Sequence, residues 1–166
     1  MQILLIRHGL AEKANAKHFR NDDLRPLTDK GYKSFKRAVK GLRTLSLKPK
    51  IILTSPTLRT GSTADLLARG LGLDAKIVRI AKELHHTLPP TRALAKLARM
   101  HLPDSIALVG HDPWLGEFLS LLIAGNIDAH LKLDKGGGAL LEVDALKPGK
   151  GRLIWLITQA QFAALA

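Results

Sequence analysis

Three short apolar runs, Gln2–Ile6, Lys50–Thr54 and Ser105–Val109, constrain this chain most, because each reads as a strand and helical patterns lie between them. A strand buried on both faces is apolar throughout instead of alternating, so such runs point to a sheet sandwiched between helices. The punctuation agrees. Thr28 reads as an N-cap opening an amphipathic helix to about Leu45, and Ser55-Pro56 as a cap and first-turn proline for a helix to about Arg69, ended by Gly70. Asp112-Pro113 repeats that signal for a helix through Ile123, ended by Gly125-Asn126. Residues 10–27 read as irregular, Ala75–Val78 as a short strand, and Arg92–His101 as a helix. Ala139–Val143 and Arg152–Ile157 read as two strands joined by a turn, and Gln159–Leu165 as a terminal helix. The expected fold is α/β: one three-layer domain over residues 1–166, with a mostly parallel central sheet, helices on both faces and an antiparallel element near the end.

Charge is the next constraint. Lys and Arg number 26 against 14 Asp and Glu, giving +12, and the first 60 residues carry 14 of the basic and 4 of the acidic groups. An anionic partner is expected. Aromatics are only 4%, which argues against nucleic acid, since single-strand binding surfaces interleave rings with cations. Lys30, Lys33, Lys36, Arg37, Lys40 and Arg43 share one arc of the first helix, opposite Phe35, Ala38, Val39 and Leu42. Two readings of that stripe stand: a solvated helix face, or a surface that steers polyanions. With no cysteine in the chain, disulfides, thiol catalysis and thiolate metal sites are excluded. The N-terminal apolar run is too short for a signal-peptide core or a membrane span, so a cytoplasmic protein with no membrane partner is expected.

The chemistry collects at strand ends. The three runs lead into Arg7-His8-Gly9, Ser55-Pro56-Thr57-Leu58-Arg59 and Gly110-His111-Asp112-Pro113. In open α/β sheets the C-terminal strand edge is where ligands bind. Two arginines, two histidines and helix N-termini at that edge describe a phosphate pocket. Arginine grips two phosphoryl oxygens with its planar fork, and a neutral imidazole can attack phosphorus. His18, His85, His86, His101 and His130 are assigned surface or packing roles. There is no GxxxxGK[ST] loop, and Gly136-Gly137-Gly138 precedes a strand, so it reads as a turn. No HExxH motif or carboxylate cluster of ligand spacing occurs, and the adjacent His85 and His86 are expected to point apart. Neither a metal nor an organic cofactor is expected.

Leu4-Leu5-Ile6-Arg7-His8-Gly9, Arg25-Pro26-Leu27-Thr28, Ser55-Pro56-Thr57-Leu58-Arg59-Thr60, Glu83-Leu84 and Val109-Gly110-His111-Asp112-Pro113 together resemble the histidine phosphatase (phosphoglycerate-mutase-like) superfamily. Short length and the Arg-Pro-Leu-Thr element are similar to the SixA-type phosphohistidine phosphatases. Only 22 residues, with one helix, separate Glu83 from Ile106, so the lid that larger members insert there is expected to be absent. The resemblance implies a metal-independent phosphatase with His8 as the phosphorylated nucleophile. It also implies Arg7 and Arg59 as the oxygen clamp, His111 as the second pocket histidine bonding the phosphoryl, and Arg25 as a rim contact. Glu83 matches the proton donor of larger relatives, but the Glu-Leu-His-His context departs from theirs. Glu83, His85, His86 and no acid at all therefore stand as alternatives. The implied substrate is phosphohistidine in a protein, with a short polyphosphate or other phosphate ester as the alternative. A non-catalytic basic binding module is the third reading, and an intact His8 with Arg7, Arg59 and His111 argues against it.

Overall fold

A computed structural model describes residues 1–14 and 19–166 of the chain. Strands Gln2–Arg7 (β1), Ile51–Thr54 (β2), Val78–Ile80 (β3), Ser105–Gly110 (β4), Gly138–Val143 (β5) and Gly151–Ile157 (β6) form one sheet in the order β3-β2-β4-β1-β5-β6. β1, β2, β3 and β4 run parallel, and β5 runs antiparallel to both β1 and β6. The helices are Asp29–Thr44 (α1), Leu58–Leu71 (α2), Pro90–Leu97 (α3), Trp114–Ala124 (α4) and Gln159–Ala164 (α5).

The two-residue period of β1 explains the layering. Ile3 and Leu5 pack with Leu94, Leu97, Leu115 and Phe118 of α3 and α4. Leu4 and Ile6 pack on the opposite face with Phe35, Val39, Leu67 and Phe162 of α1, α2 and α5. Both faces of the strand are therefore apolar, and the molecule is a single three-layer α/β domain as expected. Truncating a fully buried side chain such as Leu5 to alanine costs about 2–5 kcal/mol, transfer and cavity together.

Helix α1 forms as its sequence dictates. The Thr28 hydroxyl accepts from the Gly31 amide at 2.9 Å, and Lys30, Lys33, Lys36, Arg37, Lys40 and Arg43 stand exposed, opposite buried Phe35, Ala38, Val39 and Leu42. Gly31 is required for close approach, since a Cβ there would meet the Leu10 carbonyl oxygen at 1.9 Å. Elsewhere the boundaries move. Ala75–Ile77 is a 3-10 turn, started by the Asp74 side chain accepting from the Lys76 amide, and β3 follows it instead of coinciding with it. α3 begins two residues earlier than its apolar spacing suggests, at Pro90, where a missing N–H costs nothing, and it ends before the exposed His101. The stretch after β1 contains an Ala11–Leu27 bridge and a 3-10 turn, Asp22–Leu24.

Neither Ser55 nor Asp112 caps a helix. α2 starts at Leu58 behind Thr57, and α4 starts at Trp114 behind Pro113, with no side-chain cap bond at either. The reason lies at the site, where both side chains are taken by tertiary partners. Among the described residues no helix is long and apolar enough to cross a membrane.

Candidate active site

β1, β2 and β4 are neighbours and parallel, so their C-terminal ends deliver His8, Ser55 and His111 side by side. The His8 amide donates to the Gly110 carbonyl and the Ser55 amide to the Val109 carbonyl, each at 3.0 Å. The glycine turn closes the other flank: Gly136, at φ 71°, donates its amide to the Arg7 and His8 carbonyls at 3.1 Å each.

His8 is 7% exposed, and its Nδ1 lies 2.7 Å from the Gly9 carbonyl oxygen. A carbonyl can only accept, so Nδ1 carries the proton and Nε2 keeps its lone pair. Burial is the main reason its pKa falls from 6.5 to about 4; the Gly9 bond opposes that shift, and Arg59, Arg7 and Arg25 add to it. His111 faces it with ring centroids 5.3 Å apart. The His111 Nδ1 stands 3.4 Å from Arg59 Nη2, which can only donate, so Nε2–H donates to the Ser55 hydroxyl at 3.0 Å. Burial, then the Arg59 charge, holds His111 well below its usual value as well.

Arg59, 3% exposed, donates through Nη1 to the Asp22 carbonyl at 2.7 Å and through Nη2 to the Asp22 carboxylate at 2.9 Å. Arg25 donates through Nε to the other Asp22 oxygen at 2.9 Å and through Nη1 to the Glu12 carbonyl at 2.7 Å. Burial would raise the Asp22 pKa, but the Arg25 bond and the Arg59 charge outweigh it and lower it. Arg7 donates through Nη1 to the Leu133 carbonyl at 2.7 Å and lies 3.8 Å from the Asp112 carboxylate, whose other oxygen accepts from the Leu133 amide. Of the described residues, Arg7 and Arg59 each retain a buried Nε with no acceptor.

Arg7, His8, Arg25, Arg59 and His111 line one cavity of about 700 Å³. Glu83 does not line it. Glu83 sits half-buried in the 3-10 turn Lys82–Leu84, where Leu84 takes the inward direction at 1% exposure. His86 lines the cavity instead, with its ring 5.2 Å from that of His111. His85 and His86 do not point apart: their centroids are 4.4 Å apart at 31°. The Leu88 amide donates to the His85 carbonyl at 2.9 Å, so residues 85–88 make a reverse turn that gathers the two rings. Trp114 Nε1–H donates to the Leu88 carbonyl at 2.6 Å and ties that turn to α4. Leu88, Pro89 and Trp114 thereby give the cavity an apolar wall. His101 and His130 are exposed, and His18 lies outside the described residues.

The signature of the histidine phosphatase superfamily (branch 1) matches residues 3–87, just over half of the chain and including His8 and Arg59. The chain belongs to the histidine phosphatase superfamily. It is 34% identical over 160 residues to an uncharacterised protein of Picosynechococcus sp., covering 92% of this chain and 88% of that protein. Its fold is similar to that of the protein histidine phosphatase SixA complexed with tungstate, with a TM-score of 0.80 and 23% identity over 96% of this chain and 98% of that one. It is also similar in fold to the alpha-ribazole phosphatase of Shigella flexneri, with a TM-score of 0.68 and 20% identity over 96% and 97% of the two chains. Membership in the superfamily makes this chain a phosphatase and does not specify its phosphorylated substrate.

Proposed function

We propose that this chain hydrolyses phosphohistidine in proteins through a covalent phosphohistidine of its own, formed on His8. The observation that carries the proposal is the Nδ1–H bond to Gly9, which leaves a neutral Nε2 lone pair in a pocket flanked by Arg7 and Arg59. In the first step Nε2 attacks phosphorus and the bond from phosphorus to the leaving nitrogen breaks, its electron pair departing on an imidazole that takes up a proton. In the second, water attacks the phosphorylated His8, and orthophosphate leaves as the imidazole recovers its lone pair. Arg7 and Arg59 bind the equatorial oxygens, and their spare Nε donors favour an anion there. His111 takes part through Nδ1, whose 3.4 Å contact with Arg59 is long enough to be exchanged for a protonated phosphoryl oxygen. Arg25 steadies the rim. No step requires an ion, and residues 1–166 serve as one catalytic domain, with no lid insertion among the described residues.

An imidazole leaves readily once protonated, and Glu83 lies outside the cavity lining, which supports the reading in which solvent supplies that proton and no dedicated acid is needed. The fold likeness to SixA and the apolar wall of Leu88, Pro89 and Trp114 support a peptide-borne substrate. A second reading, a small phosphate ester or short polyphosphate, is favoured by Lys135, a further cation lining the cavity. Turnover of p-nitrophenyl phosphate in EDTA tests the chemistry. Comparing kcat/KM for a phosphohistidine peptide, a polyphosphate and a sugar phosphate then tests the substrate: a higher value for either of the latter two rejects the peptide assignment.

A further inference from the structure

At the edge of the phosphoryl pocket, the reverse turn of residues 85–88 and the 3-10 turn Asp22–Leu24 meet in a second cluster, which shares His86 with the cavity lining. His85 Nε2 lies 3.4 Å from Asp23 Oδ1, across 62 residues of sequence. One donor atom from each of Asp23, His85 and His86 lies within 4.8 Å of the other two. Bonds of about 2.0–2.2 Å to a tetrahedral ion set donor spacings of roughly 3.3–3.5 Å, so the cluster needs only a small contraction of side chains that are not fully buried.

The donor chemistry narrows the ion. Two of three donors are imidazole nitrogens, which suit zinc, copper or nickel, whereas magnesium and calcium take oxygen. His85 is also braced as a ligand would be. With Nδ1–H donating to the Thr87 hydroxyl at 2.7 Å, the Nε2 lone pair faces Asp23, and the 3.4 Å approach of the Thr87 amide to the same Nδ1 is given up in that tautomer. A metal-binding histidine usually has its second ring nitrogen held in this way.

We propose that Asp23, His85 and His86 bind one divalent transition ion of the zinc type, with its open coordination positions turned toward the cavity that His86 lines. Three protein donors leave at least one position for water or an anion. The ion adds a positive charge on the His111 side of the cavity, so ion and phosphoryl anion bind with mutual reinforcement. The site does not include His8 and shares only His86 with the cavity, so metal titration reports on the ion and turnover in EDTA reports on the hydrolytic reading.

The test is calorimetric titration of Zn2+ into tag-free, EDTA-stripped full-length protein, repeated with Co2+ followed by its visible absorption. One saturable site per chain is expected, not displaced by Mg2+, with Co2+ giving the intense bands of a low-coordinate site. His85→Ala/His86→Ala should abolish both signals, and Thr87→Val should weaken Zn2+ binding about 10–100-fold. Orthophosphate should tighten Co2+ binding. Circular dichroism establishes that each variant is folded, and the single His86→Gln variant serves if the double one is not. Zn2+ binding that survives in the histidine variants would place the ion elsewhere and overturn the proposal, as would the absence of saturable binding by the wild type. Turnover in EDTA reports separately on the hydrolytic site.

Discussion

Asp22 grips Arg59 twice, with its carbonyl on Nη1 at 2.7 Å and its carboxylate on Nη2 at 2.9 Å, while its second carboxylate oxygen takes Arg25. One acidic residue therefore aims two arginines and also competes, by its charge, with any anion they bind. Asp22→Asn keeps an acceptor but removes that charge. Orthophosphate should inhibit the variant about fivefold more tightly, the worth of one charge at contact distance in a water-like dielectric. Measurement of the orthophosphate inhibition constant decides it, and weaker inhibition would mean that positioning outweighs competition.

Arg59→Lys keeps the charge and loses the fork. Lysine cannot reach two oxygens with fixed geometry, and the variant should lose about 2–4 kcal/mol of transition-state stabilisation, seen in kcat/KM for p-nitrophenyl phosphate. An unchanged kcat/KM would remove Arg59 from the clamp.

The depressed pKa of His8 sets the pH behaviour. Folded, it titrates at about 4, and unfolded at about 6.5, so the unfolded chain binds the extra proton between those values. Stability is thus full above pH ~6.5 and falls as the pH is lowered to about 4, by about 3 kcal/mol in all for this one group. Denaturant unfolding of wild type and His8→Gln across that range should show the slope shrinking in the variant. For the same reason the acid limb of kcat/KM should lie near 4 instead of 6.5.

Much of this could be read from the sequence, and the losses share a cause. The apolar runs were visible because both faces of β1, β2 and β4 are covered, and Arg7, His8, Arg59 and His111 because strand ends of a parallel sheet share one edge. Ser55 and Asp112 read as helix caps by local rules, yet His111 takes the one, and Arg7 with the Leu133 amide takes the other. Asp22 escaped notice because its partner Arg59 is 37 residues away, although its three-residue spacing from Arg25 was a usable hint. His85 and His86 would diverge in a strand; the hydrogen bond from Leu88 to His85 is what brings them together.

The lysines of α1 are exposed, and none of them lines the cavity. Reversing Lys33, Lys36 and Lys40 to Glu should therefore leave kcat and the salt dependence of kcat/KM unchanged, even with a polyphosphate. A flatter salt slope in the variant would show that the stripe steers anions over the ~8 Å screening distance of physiological salt.

Hydrolysis as proposed requires His8 to carry the phosphoryl group. The most direct measurement is to stop turnover of a 32P-labelled substrate by rapid quenching into base and to map the label by peptide sequencing. A base-stable, acid-labile phosphate is expected on His8 alone, absent from a folded and inactive His8→Ala protein. Label on His111, or wild-type turnover by His8→Ala, would contradict it.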